Sequence, residues 1–532
     1  MKAARDGRTE RRKDGTIARA KDREVERPRE RKAERTKERK AERPKERKDE
    51  KTKEREDERT KDGKAERAKE RETERAKGRK DESAKDRKGE GAAARMRLVP
   101  RVAVAALSSP LEVGADRAPG ALRGLAEWLR RAGCEVVELG PVGNADEAIL
   151  AGRRAAELHI DAVALAVASW FEDYLALDLL EECAAPLLLW PLPGMETGAL
   201  CGTQQATCYL RELGVPFRAV FGEIDEAGAG ASALAFVRGA ALRSRLRRCR
   251  VGLAGSHLNG MTHTAPNEMA LKRALGARVV WLDLPRLLES AAAVPEADAR
   301  RAWQAVRRAA ARCEVAETDG LESMRVYVAL REAVTRHGLA ALTVGCYPHL
   351  MGRVCLAESR LADEGIPMAC EGDVHGALGQ HMLQLLTGQP THNTDWLDPL
   401  DDRRVVFTHC GSGSFSLAER AGDVRLTSVR LMGQGVCALF TARPGAVTLL
   451  NITARGDGYQ VALLEGEAEP GEMVFPGNPV RVRFDTPVPR LIEWIFEAGL
   501  GHHWMIGYGH VAAEVRAWAG LCGPQVRLVE AG

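Results

Sequence analysis

No leucine, aromatic residue, cysteine or histidine occurs before position 96, and that break decides which part of the chain can fold. Residues 1–95 are almost wholly Lys, Arg, Glu, Asp and Ala. From Ala33 an eight-residue unit repeats as AERTKERK, AERPKERK, DEKTKERE and onward to DESAKDRK. Such a segment cannot bury enough apolar surface to offset its ordering entropy. It is expected to stay outside any packed domain, either as a disordered charged tail or as a solvated helix carried by Glu/Lys and Glu/Arg pairs. Pro28 and Pro44 argue against an unbroken helix. The interleaved acids cancel most of the basic charge and weaken the counterion release that drives nucleic-acid binding, so no nucleic-acid partner is expected. Met96 opens the first stretch of globular character, which predicts a natural start at or near that residue.

Beyond that point the length suggests two or three domains. All twelve cysteines lie there, scattered and without a CxxC pair. That usage predicts reduced thiols, a cytoplasmic location, and neither a disulfide framework nor a thiolate zinc site. The longest apolar stretch, within "DAVALAVASWF", runs about ten residues between charges. A bilayer needs about 20, so no membrane span is expected.

The run of elements after Met96 alternates. "RVAVAAL", "CEVVELG", "DAVALAVA" and "APLLLWPL" are strand-like and almost continuously apolar. Between them lie helical periods such as "GALRGLAEWLRRAG" and "NADEAILAGRRAAEL", the latter capped by Asn144. Continuous apolar strands in a βαβα rhythm predict a parallel sheet covered on both faces. A fresh strand, "RVGLAGS", begins after the arginine-rich "RGAALRSRLRRCR". A second α/β unit follows, with a long polar helix expected over Glu296–Glu314. After Pro390 the texture changes to short alternating strands separated by Gly, Asp and Pro turns, which predicts a mainly antiparallel β region. The reading is therefore two Rossmann-like parallel-sheet α/β domains, 96–248 and 249–390, then a mainly antiparallel β-rich C-terminal domain, 391–532, behind the tail 1–95.

One stretch concentrates chemistry. "ACEGDVHGAL" places Glu371, Asp373 and His375 at alternate positions directly after an apolar strand. Val374, Ala377, Leu378, His381, Met382, Leu385 and Leu386 then fall on one face of a helix ended by Gly388 and Pro390. Glu371 thus stands at the C-terminal end of a strand, where open α/β sheets bind ligands. A helix-capping role accounts for Asp373. His375 is expected at the surface or behind the ligands. Asp395 in "PTHNTDWLD", His409 at the end of "VVFTHCG", and the pair His502–His503 in "GLGHHWMIGYGH" complete the set. Carboxylates and imidazoles without thiolates suit Mn²⁺ or Mg²⁺ better than structural zinc.

"CEGD" with Asp395 24 residues after Glu371, followed by "GLGHHWMIGYGHVAAEV", resembles the L-fucose isomerase pattern. The related L-arabinose isomerases carry a similar series that matches Glu371, Asp395, His409 and His503. The resemblance runs from about Arg250 to Val529. It implies a metal-dependent aldose–ketose isomerase acting on a free hexose, deoxyhexose or pentose, with Mn²⁺ (or Mg²⁺ or Co²⁺) held by Glu371, Asp395 and His503. His409 is implied as a fourth ligand or an orienting neighbour. Glu371 and Asp395 are implied as the acid/base pair of an ene-diol proton transfer. It further implies a homo-oligomer, a hexamer or similar, with active sites at subunit interfaces. Trp170 would there face a neighbouring subunit's site, and Asn259, His502 and Trp504 would contact sugar. His349 has no assigned part. Two rival readings are a non-catalytic sugar-binding or scaffold homologue, and a metal-dependent epimerase or aldolase on a related sugar. Mass spectrometry of the native protein is expected to find an N-terminus at or near Met96; tail peptides in cell extract would contradict that start.

Overall fold

The continuous apolar runs of the first region become parallel strands buried from both sides. These are β1 (Arg101–Leu107), β2 (Glu135–Val142), β3 (Ala162–Val167), β4 (Leu187–Pro191) and β5 (Phe217–Ala219). They order as β2-β1-β3-β4-β5, all parallel. Val102, Val104 and Ala106 pack into one apolar cluster and Ala103, Ala105 and Leu107 into another, so alternate residues of β1 serve opposite faces. The helix Ala145–Glu157 starts where Asn144 accepts from the Glu147 N–H at 3.0 Å. A computed structural model describes Ala92, residues 95–420 and residues 422–531. The expectation for the charged tail therefore lies, but for Ala92 and Arg95, outside the described residues.

A second parallel sheet is built from β6 (Arg250–Ala254), β7 (Arg278–Leu282), β9 (Ala341–Val344) and β10 (Met368–Ala369), ordered β10-β9-β6-β7. The polar helix between β7 and β9 is shorter than its composition suggests. It covers Glu296–Ala309 and gives way to a two-residue strand, β8 (Arg312–Cys313). Backbone competition explains the difference. Ala311 N–H donates to Val424 O and Glu314 N–H to Leu426 O, both at 2.8 Å, which draws the chain out of the helix.

The third region forms β11 (His392–Pro399), β12 (Arg404–Thr408), β13 (Arg425–Val429), β14 (Gln434–Leu439), β15 (Gly445–Arg455), β16 (Gly458–Glu469), β17 (Val480–Arg483), β18 (His503–Tyr508) and β19 (Val526–Glu530). Six of these run β15-β18-β11-β12-β17-β16 in antiparallel pairs, and β16 pairs back onto β15. The sheet closes into an antiparallel barrel, which leaves no open edge along those strands. Strand β19 adds parallel to β16, and β13 and β14 join β8 in a small separate sheet. Phe407, Trp504 and Phe484 are fully or almost fully buried inside the barrel, with Trp396 stacked on Phe484.

The helix Val374–Thr387 departs from its expected one-sided character. Every residue from Val374 to Leu386 is buried, including Gly376, Gln380, His381 and Gln384. It is enclosed because its apolar residues share one cluster with Val251 and Leu253 of the second sheet and with Leu450 and Met505 of the barrel. All twelve cysteines are free, and among the described residues no helix is long and apolar enough to cross a membrane. The chain is thus a mixed α/β protein with parallel sheets and a C-terminal antiparallel barrel. Replacing Phe407 by Ala is expected to destabilise the fold by about 3–5 kcal/mol, from lost burial and a residual cavity, as measured by urea unfolding.

Candidate metal centre

Four segments converge where the second sheet meets the outer face of the barrel. Strand β10 ends at Ala369, and the chain turns sharply before the helix at Val374. Glu371 occupies that turn with φ 64°, a left-handed conformation that a side chain other than glycine adopts at a cost of about 1–3 kcal/mol. The surroundings hold it there. Its N–H donates to Cys346 Sγ at 3.4 Å, and its carbonyl accepts from Leu258 N–H at 3.1 Å. Gly372 follows at φ 72°, so close to the loop after β6 that a Cβ would lie 2.3 Å from Ser256 O. Only glycine fits that close approach.

The barrel supplies the other donors in register. Asp395 on β11 pairs with His503 on β18 and with Thr408 on β12, and His409 directly follows Thr408. Strand alternation turns Asp395 and His503 outward while Trp396, Phe407 and Trp504 fill the interior. Asn451 on β15 secures the approach to β18, donating from Nδ2 to Gly501 O at 2.8 Å and His503 O at 2.7 Å.

His503 Nε2 lies 3.2 Å from Glu371 Oε2 and 3.6 Å from Asp395 Oδ1. His409 Nε2 lies 4.0 Å from Glu371 Oε2 and 3.9 Å from Asp395 Oδ2. Glu371, His409 and His503 can each offer one ligand atom within 4.8 Å of the others, and so can Asp395, His502 and His503. Two of the atoms involved, His503 Nε2 and Asp395 Oδ1, are buried with no hydrogen-bond partner. Buried polar atoms are rarely left so. A divalent cation that accepts mixed oxygen and nitrogen ligands would satisfy both, so these residues fit a divalent-cation site.

Electrostatics favour charge here. Burial raises the Glu371 carboxyl, but the close approach and charge of His503 and the charge of His409 outweigh it and leave it below its usual range. Asp373 is likewise opposed by burial, yet His503 holds it down to about 2. Burial disfavours the His503 cation, but Asp373 and Glu371 push its pKa up to about 9.

Glu371, Asp395, His409 and His503 are thus brought together, with His502 at the rim. His502 is half exposed, 3.9 Å from Asp395 Oδ1, and packs edge-on against His263. Asp395 is also the more open carboxylate, 30% exposed against 16% for Glu371. Ligand access therefore lies on the Asp395–His502 side. The cavity on the other side, lined by Asp373, His375, Asn451 and His503, is about 10 Å³ and has room for little more than one water.

Asn259 is exposed in the β6 loop whose Leu258 bonds Glu371. Trp504 lies on the opposite face of β18, fully buried against Trp396 and Trp494. Trp170 follows β3 in the first sheet, where its backbone bonds Ser109 and Thr197. His349 is exposed in the loop after β9. His375 is buried rather than at the surface, edge-on to the Tyr459 ring. Asp373 caps the helix as expected, but it also contacts His503. Asn451 and His263 carried no sequence signal, because single polar residues in strand and loop context are unremarkable until the fold assembles them.

No family model matches the chain. Similarity to known proteins supports an aldose–ketose sugar isomerase, an intramolecular oxidoreductase, as its class. The similar proteins are sulfoquinovose isomerases. That of Alkalicoccus urumqiensis is 26% identical over 351 residues, spanning 63% of this chain and 79% of that protein. That of Priestia aryabhattai is 24% identical over 372 residues, spanning 67% and 82%. That of Clostridium sp. strain MSTE9 is 27% identical over 359 residues, spanning 64% and 79%.

With His503 protonated up to about pH 9 in the metal-free protein, a cation bound at Nε2 would have to displace a proton. The apparent Mn²⁺ affinity is expected to rise about tenfold per pH unit from 6.5 towards 9, as measured by calorimetry. The same raised pKa contributes stability to the metal-free fold. That stability is fully present below the ordinary value of 6.5 and is lost as pH rises through about 9.

Proposed function

We propose that this protein is a metal-dependent aldose–ketose isomerase of the L-fucose isomerase-like kind, with Glu371 and Asp395 as its acid/base pair. The observation that supports this reading is the convergence of two carboxylates and two imidazoles from separate elements, with the Nε2 of both His409 and His503 within 3.2–4.0 Å of both Glu371 and Asp395. Glu371, Asp395 and His503 would hold the metal, with His409 as a fourth ligand or an orienting neighbour. A bound Mn²⁺ would stabilise negative charge on the sugar oxygens O1 and O2.

Isomerisation carries one proton from C2 to C1 and one from O2 to O1, so two groups that can accept and return protons are needed beside the substrate. Glu371 and Asp395 are such groups, and the Glu371 carboxyl is held below its usual range by the neighbouring histidines. The strained turn at Glu371 fixes the position of its carboxylate before substrate arrives, which lowers the ordering cost of the reaction. His502 stands at the open rim, where it and Asn259 would contact sugar hydroxyls. Trp170 would serve a neighbouring subunit's site in a homo-oligomer.

Sulfoquinovose, a sulfonated aldose, is the first substrate to test, since each similar protein bears that activity in its name. A coupled assay across sulfoquinovose, fucose, arabinose and other deoxy sugars separates this reading from a non-catalytic sugar binder and from an epimerase or aldolase. Glu371→Gln is expected to lower the isomerisation rate by at least about 10²–10⁴-fold and to weaken Mn²⁺ binding. Full activity in that variant would end the proposal.

A further inference from the structure

Asp373 lies two residues from Glu371 and is 4% exposed. Its two oxygens carry different loads. Oδ1 accepts from the His375 backbone N–H at 2.9 Å, which caps the helix Val374–Thr387. Oδ2 lies 2.9 Å from His503 Nδ1, on a strand 130 residues further along. An ionised carboxylate can only accept hydrogen bonds, so His503 Nδ1 carries the proton of that bond. The other ring nitrogen, Nε2, is then directed at Glu371 and Asp395, and it is the buried nitrogen without a hydrogen-bond partner.

The packing around Asp373 leaves this carboxylate little alternative. A Cβ on Gly376 would come within 2.6 Å of Oδ2, so only glycine lets the carboxylate lie against the first helical turn. Asn451 holds the main chain of His503 from the far side. The imidazole is therefore gripped at its backbone and at Nδ1, with only Nε2 left free.

We infer that Asp373 is a positioning residue of this site: its Oδ2 keeps a proton on Nδ1 and fixes the ring orientation of His503, and so turns Nε2, whose proton a bound cation would displace, towards Glu371 and Asp395. The inference rests on reading that cluster as a metal centre. Asp373 joins the helix cap and the histidine in one side chain, so the strand-end turn that places Glu371 also orients its partner ligand. Groups that take a ligating imidazole's second nitrogen typically change metal affinity by about 10–100-fold when removed.

Two variants test this while keeping the cap. Asp373→Asn offers one acceptor oxygen to two N–H donors, so it can cap the helix or accept from His503, but not both. Asp373→Ser can cap the helix but is too short to reach His503. Three measurements follow on the full-length protein: circular dichroism of the fold, calorimetric Mn²⁺ binding, and ¹⁵N NMR of the histidine rings, with His503→Gln used to assign the His503 signals. In the unsubstituted protein, Nδ1 of His503 is expected to remain in the protonated range with and without added Mg²⁺. Both variants should keep the helical signal, lose Mn²⁺ affinity by about 10–100-fold, and shift the His503 Nδ1 resonance out of that range.

An unprotonated Nδ1 in the unsubstituted protein overturns the inference, whatever the variants do. So does unchanged Mn²⁺ affinity in both variants. If the unsubstituted protein takes up no Mn²⁺, yet its Nδ1 proton is present and is lost in the variants, the positioning of His503 by Asp373 stands and the metal reading fails. If Mn²⁺ binds as expected but no aldose is isomerised, the inference stands and the proposed activity fails.

Discussion

The hydrogen bond between Asp373 Oδ2 and His503 Nδ1, 2.9 Å long and buried, is a polar link between the parallel second sheet and the closed barrel at the site. Around it the contact is apolar and very close. Gly376 and Gly379 face Met505, and a Cβ at either position would come within about 3 Å of that side chain. The missing side chains let the helix after β10 lie against β18. That proximity brings a strand-end carboxylate within reach of donors more than a hundred residues later.

Closure of the barrel performs the complementary task. Because β18, β11 and β12 are neighbours in one sheet, His503, Asp395 and Thr408 sit at one level, and His409 follows immediately. Aromatic packing inside the barrel stiffens those strands, with Trp396, Phe407, Phe484 and Trp504 in mutual contact. The interior thus serves rigidity, and the outer face carries the carboxylates and imidazoles. A site whose donors come from strands is held more tightly than one built on loops. His502, half exposed beside Asp395, is left at the rim.

Much of the fold was legible in the residues themselves. Apolar runs such as "DAVALAVA" admit few structures other than buried parallel strands, and the Asn144 and Asp373 caps sit where their side chains announce a helix start. Less legible were features set by partners distant in sequence. The helix after Glu296 reads as longer than it is, because nothing local reveals that Ala311 and Glu314 will bond to Val424 and Leu426. Strand β19 and the closure of β16 onto β15 have no local signature either. The helix Val374–Thr387 reads as one-sided because its glycines, glutamines and histidine look polar or neutral, although all of them are enclosed.

What the sequence by itself determined was the residue set: Glu371 at a strand end, Asp395, His409 and His503 in order behind it, and the chemistry that carboxylates and imidazoles share. Tertiary structure alone decided how they are placed. It set the left-handed turn at Glu371, the strand register that levels Asp395 with His503, the burial that places Trp504 inside the barrel, and the second role of Asp373 beyond its cap. The physical reason is distance along the chain. Propensity and capping act over a few residues and can be read locally, whereas register, close approach and a hydrogen bond between residues 373 and 503 exist only once the sheet and the barrel have packed together.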